Sequence, residues 1–386
     1  MSGDYRPDTV LAHAGRDPKA HKGAVNVPVY RASTILMPNL ATLDAKETLR
    51  VRYARRGTPT THALEEAVCA LEHGDHALVA PSGVMAISVV LISYAEPGAH
   101  ILVTDNTYAP VRKFCEGVLR RMGVETTYFD PAAGAEIEAL IRPETGLIWM
   151  ESPGSQTFEI QDVKAIAAIA KRRGVTTAID NTWSGGHFFK PLEVGVDISV
   201  QAGTKYISGH SDIMLGTIAC NAACYDRLRE IYLRFGVCIS PDDAFLALRG
   251  LRTLSLRLRQ HYESGLMVAQ WLEQQGEVIR VLHPALPSSP YHNLWKAQFT
   301  GASGLFGMVI HEQDRTRLAR MFDGFGLFGM GSSWGGFESL MTPTNPAANR
   351  SATHWDPNGQ TIRIHVGLED PRDLINDIRA GFDRLR

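Results

Sequence analysis

At 386 residues, 44% of them hydrophobic, the chain has material for two or three domains and a sizeable core. Its 39 Lys and Arg against 41 Asp and Glu leave a formal charge of -2, which argues against nucleic acid or an anionic membrane as a partner. Five cysteines, at 69, 115, 220, 224 and 238, form no disulfide framework; Cys220 and Cys224 lack a matching pair for zinc, so reduced thiols and no metal are expected.

The first residues, Met1-Ser2-Gly3-Asp4-Tyr5-Arg6, lack the apolar run of a signal peptide, and a cytoplasmic location is expected. Residues 1–57, with Pro28, Pro38 and few periodic apolar positions, read as an extended arm of the kind that reaches a neighbouring subunit. Within it, Tyr53-Ala54-Arg55-Arg56-Gly57 places a phenol and a guanidinium two residues apart, on one side of the chain if the segment is extended. Arginine suits phosphate through paired donors, although most exposed arginines are simply solvated.

From residue 58 to 250, apolar strands alternate with helical patterns, which predicts βαβ units and a large, mostly parallel sheet covered on both faces. Residues 77–95 carry no charge, but Pro81-Ser82-Gly83 divides them into a strand at 77–80 and a helix at 84–94. A glycine turn opening a helix directs backbone N–H groups and the positive dipole end at any anion there. Further strands are expected at 101–104 and 146–150, with helices at 111–121 and 163–173, the latter stopped by Gly174. Tyr108 follows the 101–104 strand, where it could either stack on a planar ring or pack locally.

Thr176-Thr177-Ala178-Ile179-Asp180 reads as a buried strand ending in a carboxylate, and 196–200 as a second strand running into Ala202-Gly203-Thr204-Lys205-Tyr206. Alone, such a lysine is usually a solvated charge and such an aspartate a turn residue. Together they are the pair that pyridoxal phosphate (PLP) requires: an amine for the Schiff base and an acid for the pyridinium nitrogen. A working Lys205 must then be shifted down by burial or a nearby cation.

Residues 246–272 carry leucines at helical spacing and predict one long helix leading into a smaller α+β region, residues 251–386. Strands are expected at 305–310 and 361–366, and helices at 315–322 and 371–386. The glycine-rich segment 324–336, interleaved with Phe325, Phe328 and Trp334, reads as a tight functional loop. Arg363, between Ile362 and Ile364, needs an anion: a substrate carboxylate or a structural acid.

The motifs Tyr53-Ala54-Arg55-Arg56-Gly57-Thr58-Pro59-Thr60, Glu151-Ser152-Pro153-Gly154-Ser155, 201–212 and Ser333-Trp334-Gly335-Gly336-Phe337-Glu338-Ser339-Leu340 occur in the order of a known pattern. Over roughly residues 9–385 the chain resembles the cystathionine-lyase, or Cys/Met metabolism, family of PLP enzymes. The resemblance implies the PLP-dependent transferase fold type I and a carbon–sulfur lyase of methionine biosynthesis. The implied reaction is β-elimination of cystathionine, with cysteine or cystine desulfhydration beside it; γ-elimination, γ-replacement and a catalytically silent regulator are the alternatives.

By the same resemblance Lys205 attaches PLP, Asp180 pairs with its nitrogen and Tyr108 stacks on its ring. Gly83, Val84 and Thr204 hold the phosphate, helped by Tyr53 and Arg55 of a neighbouring subunit. Arg363, Ser333 and Trp334 bind substrate, Tyr108 and Tyr53 join Lys205 in catalysis, and the assembly is a homotetramer built from two dimers. Two positions depart from common family patterns: Ala202 stands where many relatives have serine, and Ser332 where the residue varies with substrate preference.

Overall fold

The computed structural model describes residues 5–386. Seven strands form the larger sheet: β1 (His76–Ala80), β2 (His100–Thr104), β3 (Glu125–Phe129), β4 (Thr145–Glu151), β5 (Thr176–Asp180), β6 (Ile198–Gln201) and β7 (Gly216–Cys220). Their order is β1-β7-β6-β5-β4-β2-β3. The run from β3 to β6 is parallel, whereas β7 lies antiparallel to both β6 and β1, so the mostly parallel sheet is in fact mixed. Strands such as β2 and β4 are buried along nearly their whole length, as strands covered on both faces must be.

The helix Gly83–Ser93 follows β1 and is capped by Ser82, whose Oγ accepts from the Met85 N–H. Asp162 caps the helix Val163–Arg173, and Gly174 ends it in the left-handed region at φ 67°. The pattern at 111–121 becomes a short helix, Ala109–Phe114, continued by a π-turn at Cys115–Leu119. Among the described residues no helix is long and apolar enough to cross a membrane.

The smaller sheet is antiparallel, with β8 (Val278–Leu282), β9 (Leu305–Ile310), β10 (Leu340–Thr344) and β11 (Gln360–His365) in the order β10-β11-β9-β8. Its apolar face packs on the helices Leu254–Leu272, Arg315–Asp323 and Pro371–Asp383 through Leu272, Leu318, Leu374 and Ile378.

Three expectations need correction. The region 246–272 is two helices, Pro241–Leu251 and Leu254–Leu272: the Gly250 carbonyl accepts from Thr253 N–H and the Arg257 guanidinium, which diverts it from the helical ladder. The first fifty residues are not wholly extended, because Pro7–His13 is a helix with Leu11 buried in a core shared with Ala63 and Leu64. Arg252 secures it by donating to the carbonyls of Leu11 and Ala14 at 2.6 and 2.8 Å. Strands β8 and β10 carried no recognised signal: both are sheet edges, and β10 contains Pro343, which a sheet tolerates mainly at an edge.

Candidate active site

The parallel neighbours β5 and β6 end side by side, with Asp180 in register with Val200. Lys205 lies just beyond, in the connection from β6 to the antiparallel β7. Thr182 joins the two. Its hydroxyl donates to Asp180 Oδ1 at 2.5 Å and accepts from the Ala202 N–H at 2.9 Å, while its own N–H donates to the same Oδ1 at 3.0 Å. Asp180 Oδ2 is thereby left facing the cavity with no protein partner among the described residues. Burial raises the Asp180 pKa, and the Thr182 bonds followed by the Lys205 charge oppose the rise. Thr182 escaped the sequence reading, although an Asp-x-Thr turn after a strand is a recognisable local signal.

The Lys205 ammonium donates to Ser333 Oγ at 2.6 Å and lies 5.4 Å from the centre of the Trp334 ring. Burial first, then the Arg363 charge, lowers its pKa to about 8, with Asp180 opposing. The sequence argument asked for burial or a nearby cation, and both are present. Arg363, from β11, donates to the carbonyls of Gly331 and Ser333 at 2.8 and 3.2 Å. It has no carboxylate partner among the described residues.

At the opposite end of the cavity, Gly83 passes so close to the lysine loop that a Cβ there would stand 2.7 Å from Ala202 Cβ. This contact permits only glycine, and it brings the first N–H groups of a helix, which lack intrahelical acceptors, to the cavity wall beside Val84. Thr204 borders the same end, but its hydroxyl already accepts from the Leu215 N–H at 2.8 Å and donates to the Leu215 carbonyl at 3.2 Å.

Tyr108 lines the cavity from the connection after β2, its N–H donating to Glu151 Oε2 at 2.6 Å. Burial, then Asp180 and Glu151, raise the phenol pKa, so it stays protonated at neutral pH. Glu151 was recognised only as part of a motif. It stands opposite Asp180 in the β4–β5 register, and burial followed by that like charge pushes its pKa well up. Gln156 and Phe158 also line the cavity and were missed; both hold left-handed backbone, at φ 66° and 60°, which their residue types give no reason to expect.

The cavity measures about 460 Å³ and is lined by Lys205, Asp180, Tyr108, Arg363, Ser333 and Trp334 among others, together with Ser332 and Ala202. Tyr53 and Arg55 are not among its walls. Their segment is not extended: Ala54–Arg56 is a single 3₁₀ turn, Arg55 sits 5.7 Å from the Tyr53 ring centre, and its guanidinium donates to the Leu233 carbonyl.

The model of the Cys/Met metabolism PLP-dependent enzyme family matches residues 8–383. The chain belongs to that family. A cystathionine beta-lyase of Escherichia coli strain K12 is 45% identical over 99% of this chain and 99% of its own. An L-alanine/L-glutamate racemase of Wolbachia pipientis is 40% identical over 98% of each chain. Among solved structures, that of metB from Corynebacterium glutamicum superposes with a TM-score of 0.92 at 28% identity, covering 99% of both chains.

As a member of a PLP-dependent family, the chain has the fold type I arrangement of a large mixed sheet and a smaller C-terminal sheet. The residues present fit the cofactor. One open carboxylate oxygen, a lysine amine brought near neutrality and a glycine-gated helix N-terminus share one cavity, and these match in turn the nitrogen, aldehyde and phosphate of PLP.

Proposed function

We propose that this enzyme catalyses β-elimination on cystathionine, consuming water and releasing homocysteine, pyruvate and ammonia. The observation that carries the reading is that Lys205, Asp180 and Arg363 line a single cavity, with the lysine pKa lowered to about 8. PLP bound there supplies a sink for the electron pair left on the α-carbon after its proton is removed. Asp180, through Oδ2, holds the pyridine nitrogen protonated. Gly83 and Val84 present backbone N–H groups to the phosphate with Thr204 beside them, and Tyr108 stacks on the ring.

Arg363 binds the substrate α-carboxylate with Ser333 and Trp334 alongside it. Lys205 would take the α-proton of the bound substrate, and the thiolate would leave the β-carbon. Because the departing group is only required to be a thiolate, the same residues serve cysteine and cystine. Tyr53 and Arg55 reach the phosphate of a neighbouring copy within a homotetramer, and Tyr53 there joins the catalytic group. This is supported by their position outside their own cavity and by exposed apolar side chains along residues 1–57, Leu36 at 88% and Leu40 at 70%. In this division residues 58–250 hold the cofactor and 251–386 supply Ser333 and Arg363.

The keto acid formed from cystathionine tests the regiochemistry. Pyruvate is expected; 2-oxobutyrate would move the enzyme to γ-elimination. Formation of D-alanine from L-alanine with no keto acid from cystathionine would instead favour racemisation, the activity named for one relative.

A pH dependence follows from the lysine. Only a neutral amine can attack an aldehyde, and with a pKa of about 8 that form is half of the population at about pH 8 and levels off about one unit higher. An unshifted lysine, at about 10.4, would be several hundredfold less neutral at pH 7. The rate of cofactor capture by apoprotein, followed by absorbance, should therefore be half-maximal near about pH 8 and plateau above about pH 9. A rise continuing unbroken to pH 10 would contradict the shift.

A further inference from the structure

We propose that His365, backed by His261, is a positioning residue that holds the Ser333–Gly336 segment against Lys205. The proposal rests on the reading of Ser333 and Arg363 as the carboxylate-binding pair, but not on which reaction follows binding.

Alternation along β11 sends Ile362 and Ile364 into the apolar core and Arg363 and His365 to the other face. Both of the latter hold the same segment. Arg363 bonds the carbonyls of Gly331 and Ser333, and His365 Nε2 lies 3.1 Å from the Gly335 N–H. Gly335 has φ +87°, and a Cβ on it would stand 3.0 Å from Lys205 Cα, so the segment lies directly on the lysine backbone. Two residues earlier, Ser333 Oγ accepts from the lysine ammonium at 2.6 Å. A shift of Gly335 away from His365 would therefore move Ser333 relative to Lys205.

His365 Nε2 lies 3.1 Å from the Gly335 N–H, which can only donate, and 3.2 Å from the Gly336 carbonyl, which can only accept, so the ring holds this segment in either tautomer. His261 Nδ1 lies 2.9 Å from the Val366 carbonyl, which can only accept, so in this ring Nδ1 carries the proton and Nε2 the lone pair. His365 Nδ1 and His261 Nε2 are both fully buried and without a partner, with ring centres 5.2 Å apart. The two rings pack on each other without a hydrogen bond between them, and burial lowers both imidazole pKa values, that of His261 to about 4, which keeps both rings neutral.

Asparagine and glutamine at position 365 separate positioning from packing. Glutamine can bring its amide oxygen to the place of Nε2; asparagine reaches only as far as Nδ1. The probe is glycine, which offers an amine and a carboxylate but no leaving group, titrated into holoenzyme and followed through the cofactor absorbance. His365→Asn is expected to weaken glycine by about tenfold, as loss of one buried hydrogen bond would, and His365→Gln to stay within about twofold of wild type. Cofactor content should be unchanged in both. Equal weakening in the two variants, or none in either, overturns the proposal. His261→Asn gives an independent arm if His365→Asn does not fold: its amide can keep the bond to the Val366 carbonyl but not the outer half of the ring behind His365, so about threefold weakening is expected, and unchanged binding overturns the backing role. Because glycine binding does not depend on the fate of the β-carbon, failure here is distinct from failure of the β-elimination reading.

Discussion

Lys205→Ala holoenzyme is expected to release pyruvate from cystathionine at least about 10³ times more slowly than wild type, since general-base action alone contributes about 10² to 10⁴. The residue also anchors the cofactor in the proposed mechanism, so the loss should fall toward the upper end of that range. Lys205→Arg should be as inactive as the alanine variant. Guanidinium preserves the charge near Ser333 but is not deprotonated in proteins, so it can neither attack an aldehyde nor take a proton. Small primary amines added to the alanine variant should restore part of the rate, because its cavity lacks only the amine. Turnover by Lys205→Arg within tenfold of wild type would refute the proton-transfer role.

Asp180→Asn is expected to lower turnover by about 10² to 10⁴, the cost of breaking a buried charged pair of about 3–5 kcal/mol. The substitution is informative because so little else changes. Asparagine Oδ1 can still accept both bonds from Thr182, and the Thr182 link to the Ala202 N–H is unaffected. What disappears is the charge at the open oxygen. The variant should still bind PLP, more weakly, and its thermal unfolding midpoint should remain near that of wild type. A fully active Asp180→Asn enzyme would mean that the pyridine nitrogen needs no acid here, and the assignment of that end of the cavity would fall. If activity and unfolding midpoint dropped together, the carboxylate would be a structural group.

Lys205 and Asp180 were legible because local sequence contains their geometry. Each follows a short apolar strand, and parallel strands one crossover apart place such ends together. The Ser82-Gly83 turn was legible for the same reason, since helix capping is decided within a few residues. Tyr53 and Arg55 lie on a 3₁₀ turn and not on an extended segment, outside the cavity of their own chain, so a role at a neighbour's site is not legible from local geometry. The break after Leu251 could not be seen in the leucine spacing, which continues across it. It arises from Arg257 claiming the Gly250 carbonyl, a contact that requires the second helix already in place.

The amino-acid sequence by itself determined the alternating α/β order, the positions of the amine and the carboxylate, and membership of a PLP-dependent family. These depend on strand burial, capping and motif spacing, all short-range or additive along the chain. Only the tertiary structure decided that Thr182 occupies one oxygen of Asp180, that Arg363 has no acidic partner among the described residues, and that His365 reaches the glycine lying on Lys205. Each depends on a contact between segments far apart in the chain, where hydrogen-bond satisfaction in a buried site selects one partner from many of the same chemical type.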